Sequence, residues 1–303
     1  MDSKLSYYKS LLKDVWIAAR PLSLTLALYS TTLGIVVAYR SDVLFTGNMQ
    51  LDIWKILLVT LAGLFVQTGT NFINDYFECE YKYRRQNERK YSFLGKKRTR
   101  FDILIFLLGM GSFGVTCVIG IFLIYLTTTK LLWVGLIGVI GGYSYTGEPI
   151  VYKRHGLGAI LSFVLMGPLM VYGSYLVFAE QFSWTPIVLG LPLSLMIPLL
   201  MFSNELRDFE RDKGLGIKTL TVRIGNKAGK FIFLTLILLS FSLTALYIIL
   251  GMLPNIAVLV FATIPMAIKS YNTVSVAKKE GVPITNRLHL AFGLITIIAL
   301  LFQ

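Results

Sequence analysis

Nine runs of mostly apolar residues divide the chain, at about 21–39, 53–74, 102–127, 131–147, 157–179, 186–204, 231–251, 254–274 and 286–302. A membrane-crossing helix needs about 20 such residues at 1.5 Å each, and the runs reach or approach that length. They are continuous rather than alternating, which speaks against the strands of a membrane barrel. The pattern predicts an all-α polytopic membrane protein of about nine transmembrane helices. Pro168, Pro192, Pro198 and Pro265 fall in or beside runs and predict kinks, which neighbouring helices can accommodate. Gly135, Gly138, Gly141 and Gly142 predict close helix contact rather than a phosphate loop.

Composition agrees. Of 303 residues 55% are apolar and only 15% charged, against about 25% charged in soluble domains. A disordered chain, a coiled coil and a disulfide-stapled module are excluded, and a water-soluble enzyme is disfavoured. The net charge of +13 is distributed unevenly: only Arg40, Lys55 and Lys130 of the 29 cations fall on one side of the alternating spans. The positive-inside rule then puts the N-terminus and the motif-bearing loops in the cytoplasm and the C-terminus outside. The chain reads as one integral-membrane domain over 1–303, with cytoplasmic loops at about 75–101 and 205–230. With no soluble domain to carry a basic face, nucleic acid is not an expected partner; the lipid bilayer is. Cys79, Cys117, His155 and His289 are scattered and make no zinc or haem pattern.

Eight of the sixteen acids lie in two loops on the basic side. The first reads Asn74-Asp75-Tyr76-Phe77-Glu78, the second Asn204-Glu205-Leu206-Arg207-Asp208-Phe209-Glu210-Arg211-Asp212. Each begins with an Asn at the end of an apolar run and has an acid four residues on. Steps of four stay on one helix face, so Asn204, Asp208 and Asp212 form one polar stripe and Asn74 with Glu78 another. Two carboxylate stripes facing one cavity suit Mg2+ and a diphosphate, because Mg2+ takes one or two carboxylates and leaves its other positions to water and phosphate oxygens. Arg207, Lys218 and Arg223 are candidates to neutralise the remaining phosphate charge. Solvated helix ends are the competing reading, and for the first loop alone the stronger one.

The segment Asn204-x-x-Arg207-Asp208-x-x-x-Asp212-x-x-x-Gly216-x-Lys218-Thr219-Leu220-x-Val222-Arg223-x-Gly225 resembles the second aspartate-rich motif of the UbiA superfamily of intramembrane prenyltransferases. The branch it is most similar to is the 1,4-dihydroxy-2-naphthoate polyprenyltransferases of menaquinone synthesis. Ala19-Arg20-Pro21, Asn74-Asp75-Tyr76-Phe77-Glu78 and Tyr143-Ser144-Tyr145-Thr146-Gly147-Glu148-Pro149 match further family segments. The chain departs from the family at Glu78, where Asp is usual, at Lys82 and Arg84 further into the first motif, and at Ala159, where an acid is expected.

The resemblance implies an Mg2+-dependent enzyme that moves a polyprenyl group from an allylic diphosphate to an aromatic quinone precursor, with loss of the ring carboxylate when that is dihydroxynaphthoate. It implies Asp75, Glu78, Asp208 and Asp212 as metal ligands and catalytic groups. Arg20, Asn74, Asn204, Arg207, Lys218, Arg223 and Lys82 become substrate-binding residues, with Lys82 holding diphosphate where the family has part of a metal site. Tyr143 and Tyr145 become catalytic groups facing an allylic cation. Simpler roles stand beside these: a topology anchor for Arg20, helix capping for the two Asn, an interfacial belt for the two Tyr. Alternatives for the whole chain are another acceptor, cyclisation of the prenyl chain, a non-catalytic paralogue or a transporter. The transporter reading is disfavoured because ionisable residues gather at one end of the spans rather than within them.

Overall fold

The computed structural model describes residues 2–79, 85 and 87–302; Lys82 and Arg84 lie outside the described residues. Helix α1 (Asp2–Ala19) leads into α2 (Pro21–Arg40). Between them Arg20 takes left-handed backbone angles, φ 51° and ψ 68°. Helices α3 (Met49–Phe77) and α4 (Arg100–Leu126) are long neighbours. The segment joining them contains an antiparallel hairpin of β1 (Lys90–Phe93) and β2 (Lys96–Thr99), with Lys90 opposite Thr99. The apolar pattern does not reveal this hairpin, because its four-residue strands consist mostly of cations and aromatics. Its Phe93 packs on Tyr76 and Phe106, and Thr99 with Asp102 makes a reciprocal cap at the start of α4.

Helix α5 (Leu131–Ser144) is followed by a 3-10 turn at Tyr152–His155. The fifth run is α6 (Gly158–Val164), a π-helical turn at Leu165–Leu169, and α7 (Met170–Ala179). The sixth is α8 (Thr185–Ser194) and α9 (Ile197–Arg207). Two short helices, α10 (Phe209–Gly214) and α11 (Leu220–Ile224), lead to α12 (Asn226–Ile249). A 3-10 stretch, Asn255–Thr263, runs into α13 (Ile264–Ser275), and α14 (Gly281–Leu301) closes the bundle.

Among the described residues eight helices are long and apolar enough to cross a membrane, against the nine spans expected. The difference is the fourth span: α5 has only 14 residues, rising about 21 Å. The chain leaves the helix at Tyr145, ahead of Gly147 and Pro149, which stop it. Helix α2 lies centrally against α3, α7, α8 and α14, with Leu26, Leu33 and Val37 fully buried. The outer helices expose large apolar side chains such as Ile121, Tyr125, Trp133 and Ile249. A water-soluble protein rarely shows such a surface, and a bilayer solvates it.

Two breaks shape the interior. At Gly167 the backbone leaves helical geometry (φ −89°, ψ −106°) just before Pro168. A Cβ there would lie 2.7 Å from Cβ of Ser194 on the neighbouring α8, so glycine is required for this approach. The sixth run breaks between α8 and α9, next to Pro198, which has no N–H to donate. The two interruptions lie side by side, and Ser162 and Met166 near the first of them face the cavity described next.

Candidate active site

A cavity of about 650 Å³ opens where α2 begins and α3 and α9 end. Helix α3 and its C-cap contribute Gln67, Asn71, Asp75 and Glu78 to its wall. Steps of four, four and three residues keep them on one helix face. The opposite wall carries Asn204, Arg207, Asp208, Arg211 and Asp212. Helix α9 ends at Arg207, yet the register continues: Asp208 N–H donates to the Asn204 carbonyl at 3.0 Å and Asp212 N–H to that of Asp208 at 2.8 Å. The stripe expected from the sequence thus survives a break in the helix, and both acidic segments face one space.

The carboxylates there are matched by cations. Arg207 grips Asp208 with two parallel hydrogen bonds, 2.8 and 2.7 Å. Arg211 reaches Asp208 at 3.1 Å and Asp212 at 2.9 Å. Glu78 caps the C-terminal end of α3, pairs with Lys153, and has Arg20 at 4.0 Å. Arg20 also donates to Oδ1 of Asn74. Burial opposes the charge on Lys153, but Glu78 outweighs it and holds the ammonium above the ordinary lysine range. Burial pushes the Asp212 carboxyl above the aspartate range, against the pull of Arg211. Glu205, also on the wall, is held by the Thr221 N–H at 2.9 Å.

Of the residues singled out from the sequence, Arg20, Asp75, Glu78, Tyr145, Asn204, Arg207, Asp208 and Asp212 all line this cavity. Asn74 lies fully buried behind it, with Nδ2 unpartnered among the described residues. The two tyrosines part company: Tyr145 is on the wall, whereas the Tyr143 ring meets Phe77 edge-on, outside it. Arg223 donates to the carbonyls of Lys218 (3.1 Å) and Arg154 (3.3 Å) and does not line the cavity, nor does Lys218, which is exposed.

Sequence reasoning missed Lys153, Arg211, Asn71 and Gln67. In the sequence Lys153 and Arg211 read only as cations of the basic side. Asn71 and Gln67 stand four and eight residues before Asp75, and that spacing was the available signal.

A second cavity of about 320 Å³, almost wholly apolar, lies between α3, α4, α5 and α7. It shares Val66, Gly138, Leu165 and Met170 with the first, so the charged chamber continues into an apolar one. Among the described residues no three of His, Cys, Asp and Glu close into a metal cage. Hard carboxylate oxygens from two facing helix ends nonetheless fit Mg2+, which needs one or two of them when phosphate and water complete its shell. The donor set and the cations beside it suit a metal bound together with a polyphosphate.

Comparison with known proteins gives a consistent picture. The UbiA prenyltransferase family matches residues 24–300. The 1,4-dihydroxy-2-naphthoate octaprenyltransferase of Bacillus subtilis (strain 168) is 26% identical over 241 residues, which cover 78% of this chain and 72% of the relative. The apo structure of a UbiA homolog from Aeropyrum pernix K1 superimposes with a TM-score of 0.66 at 15% identity, covering 90% of this chain and 97% of that one. A UbiA homolog from Archaeoglobus fulgidus, bound to DMAPP and Mg2+, gives 0.57 at 14% identity, covering 92% and 97%. At these identities the two structures establish the fold.

Proposed function

The chain belongs to the UbiA prenyltransferase family, and on that premise we propose that it transfers a polyprenyl group from an allylic diphosphate to an aromatic quinone precursor, 1,4-dihydroxy-2-naphthoate first among them. The observation that carries this reading is one cavity with two carboxylate-bearing walls at one end and an apolar extension at the other. The amphiphilic donor has the same two parts. The naphthoate assignment is supported by the relative from Bacillus subtilis and by the motif resemblance.

Asp75 and Glu78 on one wall and Asp208 and Asp212 on the other would hold Mg2+, with Asn204 beside them. Bound there, the metal supplies charge neutralisation that makes diphosphate a better leaving group. Arg20, Lys153, Arg207 and Arg211 face the same space and neutralise the remaining phosphate oxygens. Tyr145 on the wall presents an aromatic face to the allylic carbon as its bond to oxygen breaks. Lys153 lies 5.5 Å from that ring's centre, so the ring already faces one cation. The apolar chamber keeps water from the cation until the ring carbon of the acceptor forms the new bond.

Purified protein with Mg2+, a labelled polyprenyl diphosphate and dihydroxynaphthoate should give a labelled prenylnaphthalene. Asp208→Ala and Asp212→Ala should each lower kcat/KM by about a hundredfold or more. Unchanged turnover in both variants overturns the assigned site, and diphosphate release with a cyclised hydrocarbon as product overturns the acceptor.

The charged end is assigned to the cytoplasm on the strength of the cation asymmetry. A single cysteine at Ser92 should be labelled by an impermeant maleimide only from the cytoplasmic side, and one at Ser183 only from the opposite side, in a background lacking Cys79 and Cys117. The reverse pattern overturns the orientation.

A further inference from the structure

Three polar side chains sit on the cavity wall deeper than the acids: Ser23, Gln67 and Asn71, each more than nine-tenths buried. Gln67 precedes Asp75 by two helical turns, about 12 Å along α3. It adjoins Val66, where the charged chamber passes into the apolar one. Buried amides in such a place need partners, and here the partners fix every orientation.

The Ala19 backbone carbonyl can only accept. Asn71 Nδ2 donates to the Ala19 carbonyl at 2.7 Å and to Ser23 Oγ at 2.8 Å, which uses both its hydrogens. Asn71 must therefore present Oδ1 to its other neighbour. Gln67 Nε2 donates to that Oδ1 at 3.2 Å and to Ser23 Oγ at 3.3 Å, using both of its own. Ser23 spends its hydrogen on the Arg20 carbonyl at 2.9 Å. All donors of the relay are engaged inward. One acceptor is left over, Oε1 of Gln67, which takes no hydrogen bond among the described residues and is not sealed in the protein interior.

We propose that Gln67 is a substrate-specificity residue whose Oε1 accepts a hydrogen bond from a phenolic hydroxyl of the aromatic acceptor. The inference rests on the prenyl-transfer reading of the cavity and extends it to the acceptor. The allylic diphosphate has no hydrogen to donate and is drawn to the cations around Glu78 and Asp208. A hydroxylated ring offers the donor that Gln67 lacks, at the level where the prenyl carbon leaves the charged chamber. The fixed relay makes this selective: the amide cannot rotate to offer N–H instead without breaking its bonds to Asn71 and Ser23. A carbonyl or methoxy oxygen at that position is therefore rejected and a hydroxyl retained.

The test is binding by purified protein of dihydroxynaphthoate and of the two analogues that each lack one hydroxyl, read by intrinsic tryptophan fluorescence, since Trp16 lines the cavity. Wild type should bind one of the two analogues about tenfold more weakly than the diol. In Gln67→Met the diol and that analogue should bind equally, with the KM for the prenyl diphosphate unchanged within about twofold. Gln67→Glu in its protonated form, which donates its O–H to Asn71 Oδ1 and keeps its other oxygen free to accept, should retain the discrimination and so separates recognition from a packing defect. Full discrimination surviving in Gln67→Met, or equal loss of donor and acceptor binding in that variant, overturns the proposal while leaving the prenyl-transfer reading intact. Wild type that binds donor but no aromatic acceptor overturns both.

Discussion

At the scale of single residues the site is a set of charges that already satisfy one another. Glu78 illustrates this: it holds Lys153 by a direct ion pair and stands 4.0 Å from Arg20. Because the folded-state pKa of Lys153 is raised, its contribution to stability is fully present below the ordinary lysine value and is lost only as pH rises through the higher folded value. Lys153→Met should therefore destabilise the protein by about 1–3 kcal/mol, Arg20 compensating in part. The Tm difference from wild type in detergent should stay constant between about pH 7 and 9. A difference that shrinks across that window contradicts the pairing. Which residues reach the cavity wall was only partly legible in the sequence. Asp208 and Asp212 could be placed because four-residue spacing survives a local helix break. Arg223 and Lys218 could not, because the turn after α10 carries them off the wall even though they belong to the same motif. Gln67 and Asn71 were hidden for another reason: an amide inside an apolar run has no pattern until a neighbouring helix supplies its partners.

At the scale of elements, the spans were legible because a long apolar run in lipid has one way to satisfy its backbone. Their breaks were legible as proline positions but not as geometry, since Gly167 acquires its meaning only from Ser194 on α8. The hairpin at Lys90–Thr99 was not legible at all, being too short and too charged to show a period. Helix α5 carries Gly138. Gly138 belongs to the walls of both chambers, and a Cβ added there would meet nothing within 4 Å. Gly138→Leu should thus fold normally and narrow the passage. Catalytic efficiency with a five- or ten-carbon donor should hold within about threefold, while that with a long polyprenyl donor falls by about tenfold or more. Equal loss for short and long donors would place the prenyl chain elsewhere.

At the scale of the whole molecule, an apolar bundle confines nearly all of its chemistry to one end, and there the charges are arranged in opposed pairs. Asp208 is engaged by Arg207 and Arg211, Asp212 by Arg211, and Glu78 by Lys153. Thermodynamic linkage follows from that arrangement. For Asp208 to take a metal by itself it must give up a guanidinium, and for Arg207 to take a phosphate by itself it must give up a carboxylate. When both ligands arrive, one separation serves them both. Each ligand therefore raises the affinity for the other by the same factor, about 5- to 150-fold for couplings of ordinary size. Titrating Mg2+ with and without a non-hydrolysable diphosphate measures that factor, and a value of one would mean that the pairs stay closed. An empty site of this kind is quiet toward either ligand alone and responds to their coincidence.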